Sequence, residues 1–226
     1  MRQFNYICSI ILVITLPLMI VILSSNLILR SSASYTFHFN DSQVVMEVPY
    51  SVKGNEFASE ITAYFNSVFS DEPFQVYEDN GLFKDKIFEK DEQAVMKKAK
   101  DVLNIELAIG LFCLVLSVGI YAYLLKCGFY EAVRNRFKVC IGVTVALLVL
   151  QAALFSIKGF RLWLYNTLIG IQLIGIQLHK GSILQLILGD PSYVTYIIFA
   201  TIFGGGALAV LTYLHHELTK PRQNFY

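Results

Sequence analysis

Long apolar runs, separated by polar stretches, set the reading of this chain. A bilayer core of ~30 Å is crossed by about 20 apolar residues in a helix. Residues 6–29 reach that length with Pro17 as the one breaker, and membrane helices tolerate proline because neighbouring groups satisfy the freed carbonyl. Residues 105–125, 139–157 and 193–217 are three more such runs. The first run exceeds the roughly 7–15 apolar residues of a signal peptide, so it is read as a retained anchor although Ser31-Ser32-Ala33 resembles a weak cleavage site. The last run contains Gly204-Gly205-Gly206, which weakens a helix in water but allows close approach or a kink in a membrane. The expected fold class is a membrane all-α bundle of four transmembrane helices.

The polar segment 31–104 reads as a small α+β domain. Tyr35, Phe37 and Phe39 alternate with polar residues, Asn40-Asp41-Ser42 is turn chemistry, and Val44, Val45, Met46 and Val48 follow. This pattern predicts a hairpin or two strands over 35–48. Phe57, Ile61, Tyr64, Phe65 and Val68 recur at helical spacing and predict a helix over 55–69. A strand over 74–77 before the Asp79-Asn80-Gly81 turn comes next. A second helix is expected over 91–103, acidic at its start and rich in lysine later, which complements the helix dipole. It runs into the second apolar run with little interruption.

The segment 158–192 disturbs a simple four-span scheme. Its stretch 162–178 is apolar and doubles a pentapeptide, Ile169 to Leu173 and Ile174 to Leu178. Asn166, Gln172 and Gln177 are costly facing lipid, so an interfacial or re-entrant element is preferred to a fifth span.

Charge orients the scheme. Only 15% of the 226 residues are charged, against about 25% in soluble domains, and the net charge is +1. No phosphate-loop or dinucleotide motif appears, and nothing points to nucleic acid. The loop 126–138 holds Lys126, Arg134, Arg136 and Lys138 against Glu131, and the tail 218–226 holds Lys220 and Arg222. Positive residues favour the cytoplasmic side, so both termini are expected inside and 31–104 and 158–192 outside. The outer segment 31–104 carries 13 acidic residues and 7 lysines, a net of −6. Cys8, Cys113, Cys127 and Cys140 all lie in or beside apolar runs and read as small buried hydrophobes, with no disulfide framework, metal site or cofactor implied.

The order of these parts resembles the lipoprotein intramolecular transacylases of low-GC Gram-positive bacteria and the four-span membrane family around them. Two stretches carry the local likeness. One is Phe88-Glu89-Lys90-Asp91-Glu92 with Val95-Met96 and Ala99-Lys100-Asp101-Val102; the other is Ser182-Ile183-Leu184-Gln185-Leu186 through Asp190-Pro191-Ser192-Tyr193-Val194. The resemblance implies a bacterial plasma membrane and an acyl transfer from the diacylglyceryl group of a lipoprotein to its own N-terminal amine. Such chemistry needs a base for the amine and a donor for the ester oxyanion. The family supplies two histidines, one before the second span and one after the third. Here the first position matches Val95, and near the second the chain reads Phe160-Arg161-Leu162-Trp163. Valine transfers no proton and arginine stays charged, so the chain reads as a divergent member without the family's histidines.

The remaining candidates for catalysis are His38, His179 and Arg161, the first two expected on the outer side. Arg161, Trp163 and Lys180 are candidates for binding lipid phosphate at the outer leaflet. Glu106 is an interfacial acid expected to pair with Lys100 or Arg161. His215 and His216 are adjacent, share no helix face and read as interfacial caps rather than a metal pair. The expected partners are membrane lipids and a lipoprotein or membrane protein. The alternative function is an accessory or sensor subunit of a membrane complex, with the outer domain as its binding module.

Overall fold

The computed structural model describes residues 2–39, 54–79, 84–86, 88, 90–168 and 192–220. In chain order these form α1 (Arg2–Leu29), α2 (Ser32–Phe39), α3 (Gly54–Asn66), β1 (Tyr77–Asp79), β2 (Lys84–Lys86), α4 (Lys90–Lys126), α5 (Tyr130–Ser156), α6 (Lys158–Leu168) and α7 (Ser192–Thr219). Among the described residues, four helices are long and apolar enough to cross a membrane: Gln3–Leu29, Lys90–Lys126, Tyr130–Ser156 and Val194–Thr219. The expected helix before the second span and the span itself are one element. Its 37 residues extend about 55 Å, well beyond the bilayer core, so its charged first turns project from the apolar part. Of the stretch 162–178, residues 162–168 belong to α6, and the doubled pentapeptide lies outside the described residues.

The chain forms two compact units. The first comprises Met1–Ser25, Leu107–Gln151 and Ala200–Tyr226. Its core joins Cys8, Leu12, Leu16, Met19 and Ile20 of α1, Cys113 and Leu124 of α4, Val133, Phe137 and Cys140 of α5, and Leu208 of α7. In lipid, close packing and small polar residues hold helices together more than the hydrophobic effect does. A Cβ on Gly110 would lie 2.5 Å from Leu23 Cδ2, and one on Gly204 would lie 2.9 Å from Leu148 Cδ2, so both glycines permit close approach. Gly205 and Gly206 face open space. Ser117 donates to Thr15 (2.8 Å), and Gln151 to Ser25 (2.8 Å). Gly128, with φ of 78°, ends α4; its amide returns to the Leu125 carbonyl and the Phe129 amide to that of Leu124, the glycine-capped stop that L-residues adopt poorly. Cys8, Cys113 and Cys140 are buried as expected, whereas Cys127 beside this turn is exposed.

The second unit comprises Asn26–Glu106 and Ala152–Phe199. It corrects the expected α+β domain: among the described residues it is mainly helical, with one antiparallel pair of three-residue strands, Tyr77 opposite Lys86 and Asp79 opposite Lys84. The expected strand at Tyr35, Phe37 and Phe39 is instead α2, and the rest of that hairpin lies outside the described residues. The reason is local. Ser31 Oγ accepts from the Ala33 amide and starts α2, while Ser34 Oγ adds a second donor to the Ile28 carbonyl, which already takes the Ser31 amide, and Tyr35 Oη donates to the Leu29 carbonyl at the end of α1. Helix α3 places Phe57, Ala58, Ile61, Tyr64 and Phe65 in the core, at the spacing read from sequence. The Phe57 and Phe88 rings stack at 6.1 Å, Phe88 meets Phe74 edge-on at 4.8 Å, and Phe74 meets Tyr64 at 5.1 Å. Val95, Met96 and Ala99 of α4 are also buried.

Candidate functional site

Helix α3 ends at Asn66 without a glycine, so its last carbonyls need partners from elsewhere. Ser67 serves the Ala63 and Tyr64 carbonyls and the Val68 amide that of Asn66, while Arg30 serves Phe65, and Lys100 and Asn104 hold the loop that follows. Arg30, just past α1, donates to the Phe65 carbonyl. Lys100 donates to the Ser70 carbonyl (2.7 Å) and to Ser67 Oγ (3.0 Å), and its ammonium lies 4.4 Å from the centre of the Tyr64 ring. Asn104 Nδ2 donates to the Val68 carbonyl (3.3 Å). Cations at a helix C-terminus also meet the negative end of its dipole. Lys100 is only 3% exposed, so these contacts replace nearly all of its water.

Arg30 also joins a second polar group. It donates to Asn26 Oδ1 (2.9 Å) and Asn104 Oδ1 (2.7 Å), while Asn26 Nδ2 donates to the Leu103 carbonyl (2.7 Å). Glu106 lies beside Asn26 and faces the charge of Arg30. Its expected partners were Lys100 or Arg161; Lys100 is instead committed to the loop after α3. Among the described residues, Glu106 Oε2 is buried with no hydrogen-bond partner.

Beside this cluster lies a cleft of about 230 Å³. Tyr64, Phe69 and Asn104 line it, with the carboxylates of Asp71, Glu72 and Asp101 and the ammonium groups of Lys97 and Lys100. Lys97 pairs with Asp71 at 3.4 Å, an exposed pair of small worth. Tyr64 is 8% exposed, and its hydroxyl is the second buried group without a partner among the described residues. Burial, reinforced by the charge of Asp101, pushes the phenol up to about 12, so it stays neutral and remains a proton donor at physiological pH.

The residues singled out from sequence do not gather in this cleft. Arg161 sits on α6, 5% exposed, and donates to the Phe155 carbonyl (2.5 Å). Trp163, two residues on, is exposed. His38 lies on α2, and His179 and Lys180 fall outside the described residues. His215 is buried in the first unit, where its Nδ1 shares a hydrogen bond with Tyr121 Oη (2.8 Å) and its ring stacks on Phe137 at 3.9 Å. It is a packed side chain rather than a cap exposed at an interface. Among the described residues no three metal-ligating side chains converge. The sequence reading missed Arg30, Tyr64 and Asn26. Arg30 was visible only as a basic residue ending an apolar run.

No family model and no curated protein matches the sequence. Solved structures do match. The membrane-integral lipoprotein intramolecular transacylase Lit from Bacillus cereus superimposes with a TM-score of 0.76 at 12% identity, over 96% of this chain and 97% of that one. Two variants of the same protein, with a histidine replaced by alanine or by arginine, match with TM-scores of 0.73 and 0.69 at 14% and 15% identity, over 96% of this chain and 94% and 92% of theirs. The chain is thus an integral membrane protein with the fold of this transacylase. At such identities the likeness is one of fold.

Proposed function

We propose that this chain is a multi-pass protein of a bacterial plasma membrane that holds a lipid or lipoprotein at the outer leaflet, without transacylation through the family's histidines. Both termini are cytoplasmic, and 31–104 and 158–192 lie outside as a binding region, mainly helical where described. Arg134, Arg136 and Lys138 on the first turns of α5, with Lys220 after α7, support this orientation through the positive-inside rule. One observation carries the functional reading: a fold shared with a lipoprotein transacylase along 96% of the chain, with a buried valine, Val95, where the family resemblance places a histidine. A side chain packed into an apolar core with no ionisable group moves no proton. Arg161, Trp163 and Lys180 stay in the reading as the candidates for binding lipid phosphate from the segment after the third span. Arg161 serves there as the buried anchor of α6, and His38 and His179 are the remaining histidines on that side.

Two measurements test this. The chain is expressed in a strain lacking lipoprotein N-acylation, and lipoprotein N-termini are read by mass spectrometry. They stay diacylated with a free amine; conversion to the lyso form would overturn the non-catalytic reading. In the same cells, a diacyl lipid carrying a photoactivatable group in its chain is cross-linked. Peptides from 54–106 are labelled above those of an unrelated multi-pass protein, and equal labelling sinks the lipid-handling reading.

A further inference from the structure

Three features of the second unit converge on the loop after α3. The first is its height. Asn104, which donates to the Val68 carbonyl, is followed by Ile105, 61% exposed, at the start of the apolar run of α4. The loop is therefore tied to the level at which α4 enters lipid. Its next residue, Phe69, is fully exposed at 100%. A bare phenylalanine is costly in water but favourable at the boundary of headgroups and acyl chains. The second feature is the cleft that Phe69 borders. Three carboxylates face two ammonium groups there, and both ammonium groups are engaged: Lys97 with Asp71, Lys100 with Ser67, Ser70 and the Tyr64 ring. Glu72 and Asp101 remain for a cation. The third is Tyr64, which lines the cleft and whose hydroxyl is buried and unpartnered among the described residues. A neutral phenol kept from ionising needs an acceptor, and leaving it without one costs stability. The cleft has room for more than water, whose share of liquid volume is about 30 Å³.

From these we infer that the cleft is a binding site for a phospholipid headgroup bearing a primary amine and a phosphate, with Phe69 resting among the acyl chains. Glu72 and Asp101 take the ammonium, and the Tyr64 hydroxyl donates to a headgroup oxygen. The inference rests on the lipid-handling reading above and names its lipid class.

The test uses the full chain in nanodiscs holding equal amounts of phosphatidylethanolamine and phosphatidylglycerol. The protein is released into detergent, and retained lipid is counted by native mass spectrometry. Phosphatidylethanolamine is retained preferentially, and phosphatidylcholine, whose methylated amine donates no hydrogen bond, does not replace it. Tyr64→Phe keeps the ring under Lys100 and removes only the hydroxyl. Loss of one hydrogen bond lowers that retention about fivefold. Glu72→Gln with Asp101→Asn lowers it further, and thermal stability of both variants, measured alongside, shows that the fold persists. Equal retention of the two lipids, or unchanged phosphatidylethanolamine retention in Tyr64→Phe, overturns the inference. If a diacyl lipopeptide with a free amine is retained and phosphatidylethanolamine is not, the headgroup assignment fails while the reading of a lipoprotein-handling protein stands. If nothing is retained beyond its bulk proportion, both fall.

Discussion

The end of α3 is held from outside, and replacing Arg30 by lysine tests how much that matters. The guanidinium serves three acceptors at once: Asn26 Oδ1 at 2.9 Å, Asn104 Oδ1 at 2.7 Å and the Phe65 carbonyl. Its planar fork spreads donors over those directions, whereas an ammonium is a point with three donors on a flexible stem. Lysine keeps the charge that faces Glu106 but reaches one or two of the acceptors. Each charge-assisted bond contributes about 1.5–3 kcal/mol, and water entering the gap recovers part of the loss, so a net cost of about 2 kcal/mol is expected. The cost falls on one region, so a single melting temperature is a poor measure. Hydrogen–deuterium exchange in nanodiscs reads it locally. At about 1.4 kcal/mol per tenfold, amides of residues 54–66 exchange roughly 30-fold faster in Arg30→Lys than in the wild type. Peptides from 139–150 in the first unit are unchanged. Arg30→Met, which leaves all three acceptors without the cation, moves α3 further. Exchange in α3 equal to wild type, or an equal rise in both regions, refutes the capping argument.

Four further outcomes follow from the packing. Gly110→Ala forces a Cβ to within 2.5 Å of Leu23 and lowers thermal stability by about 1–3 kcal/mol, while Gly206→Ala, facing open space, is neutral; Leu23→Ala restores the Gly110→Ala variant. Val95→His places an imidazole in a 6%-exposed core position, costs about 1–3 kcal/mol in thermal stability and produces no lyso-lipoprotein by mass spectrometry. His215→Ala removes the bond to Tyr121 and the stack on Phe137, and lowers the melting temperature by an amount equivalent to about 2 kcal/mol or more. Tyr64, raised to about 12 by burial, favours the fold while neutral; this contribution is complete below pH 10 and is lost as pH rises towards 12. The wild-type minus Tyr64→Phe tyrosinate absorbance therefore titrates near 12, and a midpoint at 10 would show an accessible phenol.

The four long helices were legible because the signal is compositional. Twenty apolar residues in a row need no knowledge of distant partners. The helix over 54–66 was legible for the same reason, since Phe57, Ile61, Tyr64 and Phe65 declare one face. The strand expected at Tyr35, Phe37 and Phe39 failed because alternation over five residues fits either period. What decided it was the need of the Leu29 carbonyl for a donor, which Tyr35 supplies, with Ser34 adding a second bond at Ile28. The polar cluster was not legible at all. Arg30 finds its acceptors 35 and 74 residues away, and Asn26 finds its carbonyl 77 residues away. Glu106 was noticed as an acid at an interface, but its neighbours were assigned by nearness in sequence and charge, which favoured Lys100 over Asn26.

Satisfaction of hydrogen bonds separates structural from functional groups in the second unit better than charge does. Arg30 and Lys100, the conspicuous cations near α3, have spent their donors, the first on the helix end, Asn26 and Asn104, the second on the loop that follows. Binding a phosphate there would take those donors from the Phe65 and Ser70 carbonyls, exchanging one buried need for another. The same holds for Arg161, buried on α6 against the Phe155 carbonyl. Removal of these residues should therefore disturb the fold before it disturbs any ligand. Tyr64 and Glu106 are the opposite case. Each carries a buried oxygen with no partner among the described residues, a cost that folding alone does not recover. A neutral phenol donates and a carboxylate oxygen accepts, so Tyr64 asks for an acceptor and Glu106, which does not line the cleft, for a donor of its own. A headgroup oxygen meets the first demand at Tyr64. Glu106, held between Asn26 and Arg30, is the next place where an amine or hydroxyl donor belongs.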